Sequence, residues 1–349
     1  MLAKALSTVG AETELITLAD VARHAGVSLA TASRVLNGSS RQVGAALRER
    51  VERAAAELGY ETDVTAQTLA RGSSKVIGLV VHALTDPYFA ALAEGAMRAA
   101  DRHGLTVMIG ATHRDPQREL ALVSTLRAQR VQAILLAGSR TTDTEVVDRM
   151  RAELTRYREA GGRVACVGQD LLGVDTVAPA NRAGAAALAR ALADLGHRRF
   201  AVLAGPPELV TAADRVEGFT SALTELGLPA PRVLPGGFDR HGGHAAATAL
   251  VDAGLDDVTC VFAVNDVMAV GALAAFRERG VDVPGDLSVA GFDDIATLRD
   301  LVPPLTTVRL PLAEMGARAL DLALSEKPGV VTEVVAGEVV LRASTALNV

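Results

Sequence analysis

The stretch from Thr17 to Asn37 limits the possible fold of this chain more than any other part of its sequence. Thr17 precedes Asp20 by three residues, and this spacing predicts a helix start at which the Thr17 side chain satisfies a free backbone amide. Gly26 is the predicted end of this helix, because glycine commonly follows the last helical turn. Between these signals, apolar residues recur at the spacing of one helix face, namely Leu18, Val21, Ala22 and Ala25.

A second short helix is predicted after this turn, with Ser28 as its cap. Its inner face is apolar and consists of Ala32, Val35 and Leu36. Two short helices joined by a glycine-containing turn of three to four residues form the helix-turn-helix pattern, although the same spacing also fits an ordinary amphipathic hairpin. The outer face bears small and polar groups that suit base edges and phosphates, and we predict that it reads DNA. It comprises Ser28, Leu29, Ala30, Thr31, Ser33, Arg34 and Asn37.

A third amphipathic helix is predicted over residues 45–58, which completes a three-helix DNA-binding domain over residues 17–61. Residues 1–16 are expected to form a disordered lead. Residues 62–75 are expected to be a hinge and linker. Its helical part, residues 63–71, falls short of the ~12–15 residues at which an isolated helix becomes marginally stable in water. We therefore expect this segment to fold only when something holds it.

From residue 76 onward, apolar strands alternate with helices in two successive series. This order predicts two doubly wound α/β lobes with parallel sheets. We expect the first lobe to span about 76–172 and 305–327, and the second about 173–304 and 328–349. Ligands of such folds bind beyond the carboxyl ends of the strands, so the cleft between the lobes is the predicted ligand site.

Polar and aromatic residues at predicted strand ends, together with one arginine in a predicted helix, supply candidates for that site. Arg215, Asn265 and Asp293 together offer the donors and acceptors that a polyhydroxylated ligand needs, although Arg215 and Asp293 also fit a purely structural ion pair. Tyr88 and Phe89 suit stacking on a ligand ring or simple packing. The predicted ligand residues are His82, Asp86, Tyr88, Phe89, Arg215, Asn265 and Asp293.

Composition and motifs weigh against other classes of function. The net charge is −6, but residues 15–75 carry eight Lys/Arg against six acids, a balance of +2, which suits a weak DNA-binding unit used in duplicate. The chain lacks the Walker, nucleophile-elbow, zinc-protease and C-x-x-C motifs, so we expect no enzyme activity, cofactor or metal. A metal site at His241 and His244 lacks a third ligand. Cys166 and Cys260 are predicted to be buried free thiols.

Several segments make this chain resemble the lactose-repressor/galactose-repressor family of bacterial transcription factors. They include TLADVARHAGVSLATASRVLNG (17–38), RERVERAAAELGY (48–60), AQTLARG (66–72), GHRRFAVLAGP (196–206), VNDVMAVGALAAF (264–276), LSVAGFDD (287–294) and PPLTTVR (303–309). The resemblance covers residues 17–345 and implies two lobes of the periplasmic-binding-protein type. It also implies that helix 311–324 returns to the first lobe.

The resemblance further implies a cytoplasmic homodimer that binds double-stranded operator DNA and responds to a small effector. Within the family's pattern, Thr17 belongs to the DNA-binding set, Tyr60 contacts a phosphate or simply packs, and Leu69 enters the minor groove. Leu209 stands where purine-responsive members carry Arg, which favours a sugar or nucleoside effector. Arg215 is the one basic residue expected in the cleft, which weighs against a phosphorylated effector. The rival interpretations are a two-lobe solute-binding protein and an enzyme with a nucleotide cofactor.

Overall fold

The computed structural model describes residues 16–36, 43–60, 74–255 and 257–348. The chain divides into two compact units, residues 1–74 and 75–349. Our expectations for the lead at residues 1–15, for Asn37 and for hinge residues 62–73, Leu69 included, fall outside the described residues. Among the described residues, no helix is both long enough and apolar enough to cross a membrane.

The described residues of the first unit, 16–36 and 43–60, form three helices: α1 (Leu18–His24), α2 (Leu29–Leu36) and α3 (Ala45–Leu58). The predicted helix start is confirmed, because the Thr17 amide donates to Asp20 Oδ2 at 3.0 Å and the Asp20 amide donates to Thr17 Oγ1 at 3.4 Å. The Thr31 amide likewise donates to Ser28 Oγ at 3.1 Å. These reciprocal bonds satisfy amides that the first helical turn leaves unpaired.

A small apolar core joins these three helices. Val21, Ala32 and Val51 contribute one residue from each helix and are completely buried. Arg50 on α3 also donates to the carbonyl oxygen of Gly26 at 3.3 Å, which connects the third helix to the turn between the first two. The predicted helix-turn-helix arrangement is therefore present.

The second unit contains two parallel sheets. The first sheet has six strands in the order β11-β5-β4-β3-β1-β2, and the second has four in the order β7-β6-β8-β9. The first sheet comprises β1 (Val76–Val81), β2 (Thr106–Ala111), β3 (Ala133–Ala137), β4 (Arg163–Val167), β5 (Asp175–Pro179) and β11 (Thr332–Val335). The second sheet comprises β6 (Phe200–Ala204), β7 (Arg232–Pro235), β8 (Cys260–Ala263) and β9 (Ser288–Ala290).

In the described part of this unit, eight α-helices cover these sheets, and each follows the alternation predicted from the sequence. They are α4 (Pro87–Arg102), α5 (Pro116–Ala128), α6 (Thr144–Glu159), α7 (Asn181–Asp194), α8 (Val210–Glu225), α9 (Arg240–Asp252), α10 (Asp266–Glu278) and α11 (Leu312–Leu324). A short 3₁₀ helix spans Ala296–Arg299. Asp side chains cap several of these helices, as Asp115 does by accepting from the Gln117 amide at 2.8 Å.

The expected lobe boundaries at residues 172 and 328 are wrong. β5 pairs in parallel with β4, and β11 pairs in parallel with β5, so residues 175–179 and 332–335 extend the first sheet. Both strands are short and lie at or next to the sheet edge. Their sequences therefore lack the continuous apolar run that marks a central parallel strand.

The chain crosses back to the first lobe as the resemblance implies. β10 (Thr307–Arg309) pairs antiparallel with β12 (Glu338–Val340), and α11 lies against α4. Gly95 and Gly316 permit this close approach, because a Cβ at Gly95 would collide with the Ala313 carbonyl and one at Gly316 with the Leu92 carbonyl.

Candidate DNA-reading helix and ligand cleft

The seven predicted ligand residues line a single cavity of ≈ 470 Å³ between the two lobes, which we call the cleft. First-lobe strands and second-lobe strands both direct their carboxyl ends toward it. The cleft is also lined by residues that were not predicted, namely Arg114, Gly138, Ser139, Gly168, Pro179, Asn181, Thr211 and Phe238.

Arg215 on α8 is held by three acceptors and is almost completely buried. It donates from Nη2 to Asp293 Oδ1 at 2.7 Å, from Nε to Asn181 Oδ1 at 2.9 Å and from Nη1 to the Val264 carbonyl at 2.8 Å. Its guanidinium carbon lies 3.8 Å from the centre of the Phe292 ring, a favourable cation–π position. Arg215 therefore both forms a structural ion pair and lines the cleft, and it fixes the orientation of Asp293.

Several polar atoms at the cleft have no hydrogen-bond partner among the described residues. Asp86 Oδ1 accepts from the Tyr88 amide at 3.0 Å, and Asn265 Oδ1 accepts from the Met268 amide at 2.8 Å. Asp86 Oδ2, Asp293 Oδ2, Asn265 Nδ2 and the Tyr88 hydroxyl make no such bond within that part of the chain. The cleft thus offers two carboxylate acceptors, one amide donor and one hydroxyl, a set that matches alternating hydroxyl groups.

Burial perturbs the acids and the phenol of the cleft. Burial raises the pKa of Asp293 to about 6, although the neighbouring Arg215 opposes the shift. It also raises the pKa of Asp86 above its usual value. The pKa of Tyr88 is raised by burial and by the charge of Asp293, so its hydroxyl keeps its proton and remains a hydrogen-bond donor.

His82 and Phe89 form the wall of the cleft. His82 Nε2 lies 3.3 Å from the Ser139 carbonyl oxygen and Nδ1 lies 3.1 Å from Thr112 Oγ1. A carbonyl only accepts, so the ring proton lies on Nε2. Burial lowers the pKa of His82 to about 3, which keeps the ring neutral. Phe89 is buried and packs edge-on against His82 and Tyr88, so the packing alternative describes Phe89.

Asp266 does not cap α10, contrary to the simple expectation for an Asp at a helix start. Asn265 caps the helix, and Asp266 lies fully buried behind the cleft. It accepts from Thr307 Oγ1 at 2.7 Å and from the Ile295 amide at 3.0 Å. Burial, together with the charge of Asp293, raises the pKa of Asp266 to about 8.

Arg114 is a second basic residue of the cleft, so the expectation of one basic residue is wrong. It follows β2 with a left-handed backbone (φ +61°) and donates from Nη2 to the Phe238 carbonyl of the second lobe at 3.1 Å. Its guanidinium also lies 5.4 Å from the Phe238 ring centre. No pattern in the sequence marks Arg114 as a ligand residue, because it belongs to a polar loop after an edge strand.

The predicted reading face of α2 is largely open to solvent. Leu29 is 55% exposed, Ser28, Ala30 and Arg34 are exposed, and Thr31 is half-buried. Arg34 makes no ion pair with the residues that the structure describes.

Three other predicted DNA contacts of the first unit already have protein neighbours. Thr17 is exposed, with its hydroxyl on Asp20 at 2.6 Å. Tyr60 is half-buried against the core, as its packing alternative anticipated. Ser33 is half-buried.

The structure also locates the residues considered for metal or thiol chemistry. Cys166 and Cys260 are buried free thiols, as predicted. His244 Nε2 lies within hydrogen-bond distance, 2.9 Å, of a carboxylate oxygen of Glu278. Within the described ranges, no group of three His, Cys, Asp or Glu residues is arranged to hold a metal ion.

A helix-turn-helix unit followed by a two-lobed ligand-binding domain defines a class of bacterial transcriptional regulator. Residues 17–63 match the family model described as bacterial regulatory proteins, lacI family. Residues 189–345 match a periplasmic binding protein-like domain.

Relatives extend this similarity over nearly the whole chain. The regulator GalS of Salmonella typhimurium is 38% identical, with 90% of this chain and 91% of GalS covered. GalR of Escherichia coli is 34% identical over 89% of both chains. The chain therefore belongs to the lacI family, and it is a ligand-responsive DNA-binding transcriptional regulator.

Solved structures agree with this assignment. The lac repressor dimer bound to operator and the anti-inducer ONPF is 27% identical, covers 95% of this chain and 99% of its own, and has a TM-score of 0.81. A complex of the transcriptional regulator CelR with cellobiose is 30% identical, covers 94% of this chain and 99% of its own, and has a TM-score of 0.69.

Proposed function

We propose that this regulator is a homodimeric repressor that binds a near-palindromic operator and is released by a neutral polyhydroxylated ligand, a sugar or a nucleoside. The observation that carries the proposal is the convergence of Asp86, Asn265 and Asp293 on one cleft with polar atoms left free for a ligand. The operator-bound lac repressor dimer and the cellobiose complex of CelR support both halves of the proposal. A regulator of chromosomal DNA acts in the cytoplasm.

The charges of the cleft favour a neutral ligand. Arg114 and Arg215 are matched by Asp86 and Asp293, and the His82 ring is uncharged. A phosphate or carboxylate would leave an excess negative charge in a partly buried site, which is unfavourable. A hydroxyl group both donates and accepts, so it pairs with the free carboxylate oxygens and with the amide of Asn265 in turn.

DNA recognition is assigned to the exposed face of α2 and to the hinge. Arg34 is exposed and can pair bidentately with guanine, a contact worth about 1–3 kcal/mol of base discrimination. Thr31 is assigned a contact with a phosphate of the DNA backbone. Asn37 and Leu69 belong to the proposed contact set on the basis of the sequence alone, with Leu69 as the minor-groove wedge.

The test combines one operator titration with two variants. Fluorescence anisotropy with DNA from the regulator's own upstream region measures affinity before and after addition of sugars and nucleosides. Arg34→Ala is expected to lose preference at one symmetric pair of operator positions, whereas Thr31→Ala weakens all sequences alike. Asp293→Ala is expected to bind the operator at a temperature where it is folded but to ignore the ligand. Equal specificity loss in the two headpiece variants contradicts the α2 assignment, and normal release of Asp293→Ala contradicts the cleft assignment.

A further inference from the structure

The two lobes are bonded directly to each other beside the cleft. Residues 139–142 follow β3 in the first lobe, and residues 208–211 lead from β6 into α8 in the second. The two segments pair through an antiparallel β-bridge between Thr141 and Leu209. We call residues 139–142 and 208–211 together the latch.

Two backbone hydrogen bonds cross from lobe to lobe at the latch. The Thr142 amide of the first lobe donates to the Glu208 carbonyl of the second at 2.9 Å. The Val210 amide of the second lobe donates to the Arg140 carbonyl of the first at 3.0 Å. The two bonds run in opposite directions, as in an antiparallel ladder, so they hold the two segments in one register.

Side chains add two further hydrogen bonds between the lobes. The Thr211 amide donates to Ser139 Oγ at 3.1 Å, and Gln169 Nε2 donates to Thr211 Oγ1 at 2.8 Å. Ser139 and Thr211 also line the cleft. The latch is therefore part of the wall of the cleft, and each lobe supplies one half of it.

A buried ion pair holds the first-lobe segment of the latch in place. Arg140 Nη1 donates to both carboxylate oxygens of Glu119 on α5, at 3.0 and 3.2 Å, and both residues are buried. The Arg140 amide also donates to Gln169 Oε1 at 2.8 Å. A buried ion pair is weak evidence for added stability. Its consequence here is positional, because it fixes the backbone whose carbonyl accepts the bond from Val210.

The predicted ligand residues are closed off from solvent while the latch is bonded. Five of them, from both lobes, are each at most 6% exposed, namely His82, Phe89, Arg215, Asn265 and Asp293. Asn265 and Asp293 carry polar atoms that are free for a ligand. A sugar or nucleoside is much larger than a water molecule, and these side chains are almost inaccessible even to water. The lobes must therefore separate before a ligand enters, and separation breaks the bonds of the latch.

We propose that the latch controls the entry and exit of the ligand, which passes between the cleft and solvent only when residues 139–142 separate from residues 208–211. This inference rests on the proposed function of the cleft as a polyol site. Closure of the cleft is then a property of the protein's own contacts. The strength of the latch sets the rates of ligand association and dissociation, and a weaker latch raises both.

Val210→Pro removes one bond of the latch and preserves the helix that follows. Val210 is the first residue of α8, a position that favours proline because its amide has no partner within the helix. Leu209 before it is extended, with φ −83° and ψ 113°, as a residue preceding proline should be. Thr144→Pro is the matched control. Thr144 is likewise the first residue of α6, and its amide makes no hydrogen bond to the second lobe among the described residues.

Hydrogen exchange of the full-length protein measures opening of the latch at the Thr142 amide. Loss of one hydrogen bond should speed this exchange about two- to tenfold in Val210→Pro, whereas Thr144→Pro should exchange at the wild-type rate. Exchange of Thr142 in the wild type as fast as in an unstructured peptide overturns the latch. Equal rates in the two proline variants overturn it as well.

An introduced thiol measures access to the cleft. Asn265→Cys is combined with each proline substitution and treated with iodoacetamide, a small neutral probe, and mass spectrometry follows each cysteine separately. Alkylation should accelerate with Val210→Pro by the same factor as Thr142 exchange. The completely buried Cys166 and Cys260 should stay unmodified. An alkylation rate that Val210→Pro leaves unchanged overturns the control of access. Equal acceleration at the two native cysteines overturns it too, because access then follows unfolding of the domain.

These measurements contain no sugar and no nucleoside, so they fail independently of the proposed function. Failure of the cleft as a polyol site appears in the operator titration and leaves both rates unaffected. Thr211→Val replaces Val210→Pro if that variant does not fold, because it removes the acceptor of Gln169 Nε2. Thr211→Ser keeps the hydroxyl and is its control.

Discussion

Replacing Arg215 with Met removes the residue that ties the second lobe together behind the cleft. The substitution leaves the Val264 carbonyl, the Asn181 side chain and the Asp293 carboxylate without their donor in a region that is almost completely buried. Removing one partner of a buried ion pair costs about 3–5 kcal/mol. With about 2 °C per kcal/mol for a large domain, the melting temperature should fall by about 6–10 °C.

Arg182→Met provides a matched control. Arg182 also pairs with two acids, Asp214 at 2.8 Å and Glu217, but its side chain is 59% exposed. Exposed pairs contribute about 0–1 kcal/mol, so this variant should melt within about 2 °C of the wild type. Differential scanning calorimetry of the three proteins measures both effects. Similar losses in the two variants would refute the argument that burial, rather than the number of ion pairs, sets the cost.

The Arg215→Met deficit should also depend on pH. Burial already raises the pKa of Asp293 to about 6 from its ordinary value of 3.8, and loss of Arg215 removes the opposing attraction and raises it further. The folded protein then binds this proton more tightly than the unfolded chain, so stability falls as pH rises through that window. The melting temperature of the variant should therefore lie closer to that of the wild type at pH 5 than at pH 8. A deficit that is independent of pH would show that Asp293 stays ionised in the variant.

Two further changes test the surroundings of the cleft. Gly138→Ala forces a Cβ onto the His82 ring at a residue with φ +133°, and it should abolish ligand binding in a titration. Gly161 has φ +88° and open space around it. Gly161→Ala should therefore bind the ligand normally, and calorimetry should show only the stability lost to backbone strain. Asp266→Asn removes a carboxyl whose pKa is raised to about 8, so the decline in wild-type stability between pH 4 and 8 should become shallower. An unchanged slope in a pH series of melting curves would mean that Asp266 is ionised throughout.

Much of the architecture follows from local signals in the sequence. The Thr17–Asp20 cap, the glycine-ended helices and the alternation of apolar strands with helices involve residues close along the chain, and such signals act wherever the chain is placed. Six of the seven predicted ligand residues follow strand ends, and the carboxyl ends of parallel strands meet at one edge; Arg215 instead lies within α8. Their convergence on one cleft is a consequence of topology.

Only the tertiary structure decided the features that depend on distant partners. β5 and β11 join the first sheet because edge pairing supplies their hydrogen bonds, not because their sequences are strongly apolar. Arg114 is held at the cleft by its hydrogen bond to the Phe238 carbonyl, which lies more than a hundred residues away in the sequence. Arg140 is buried because Glu119 on another element neutralises it. From the sequence alone, a charged residue is expected to be exposed to solvent. Its burial is stable only where the fold brings an oppositely charged partner into contact with it.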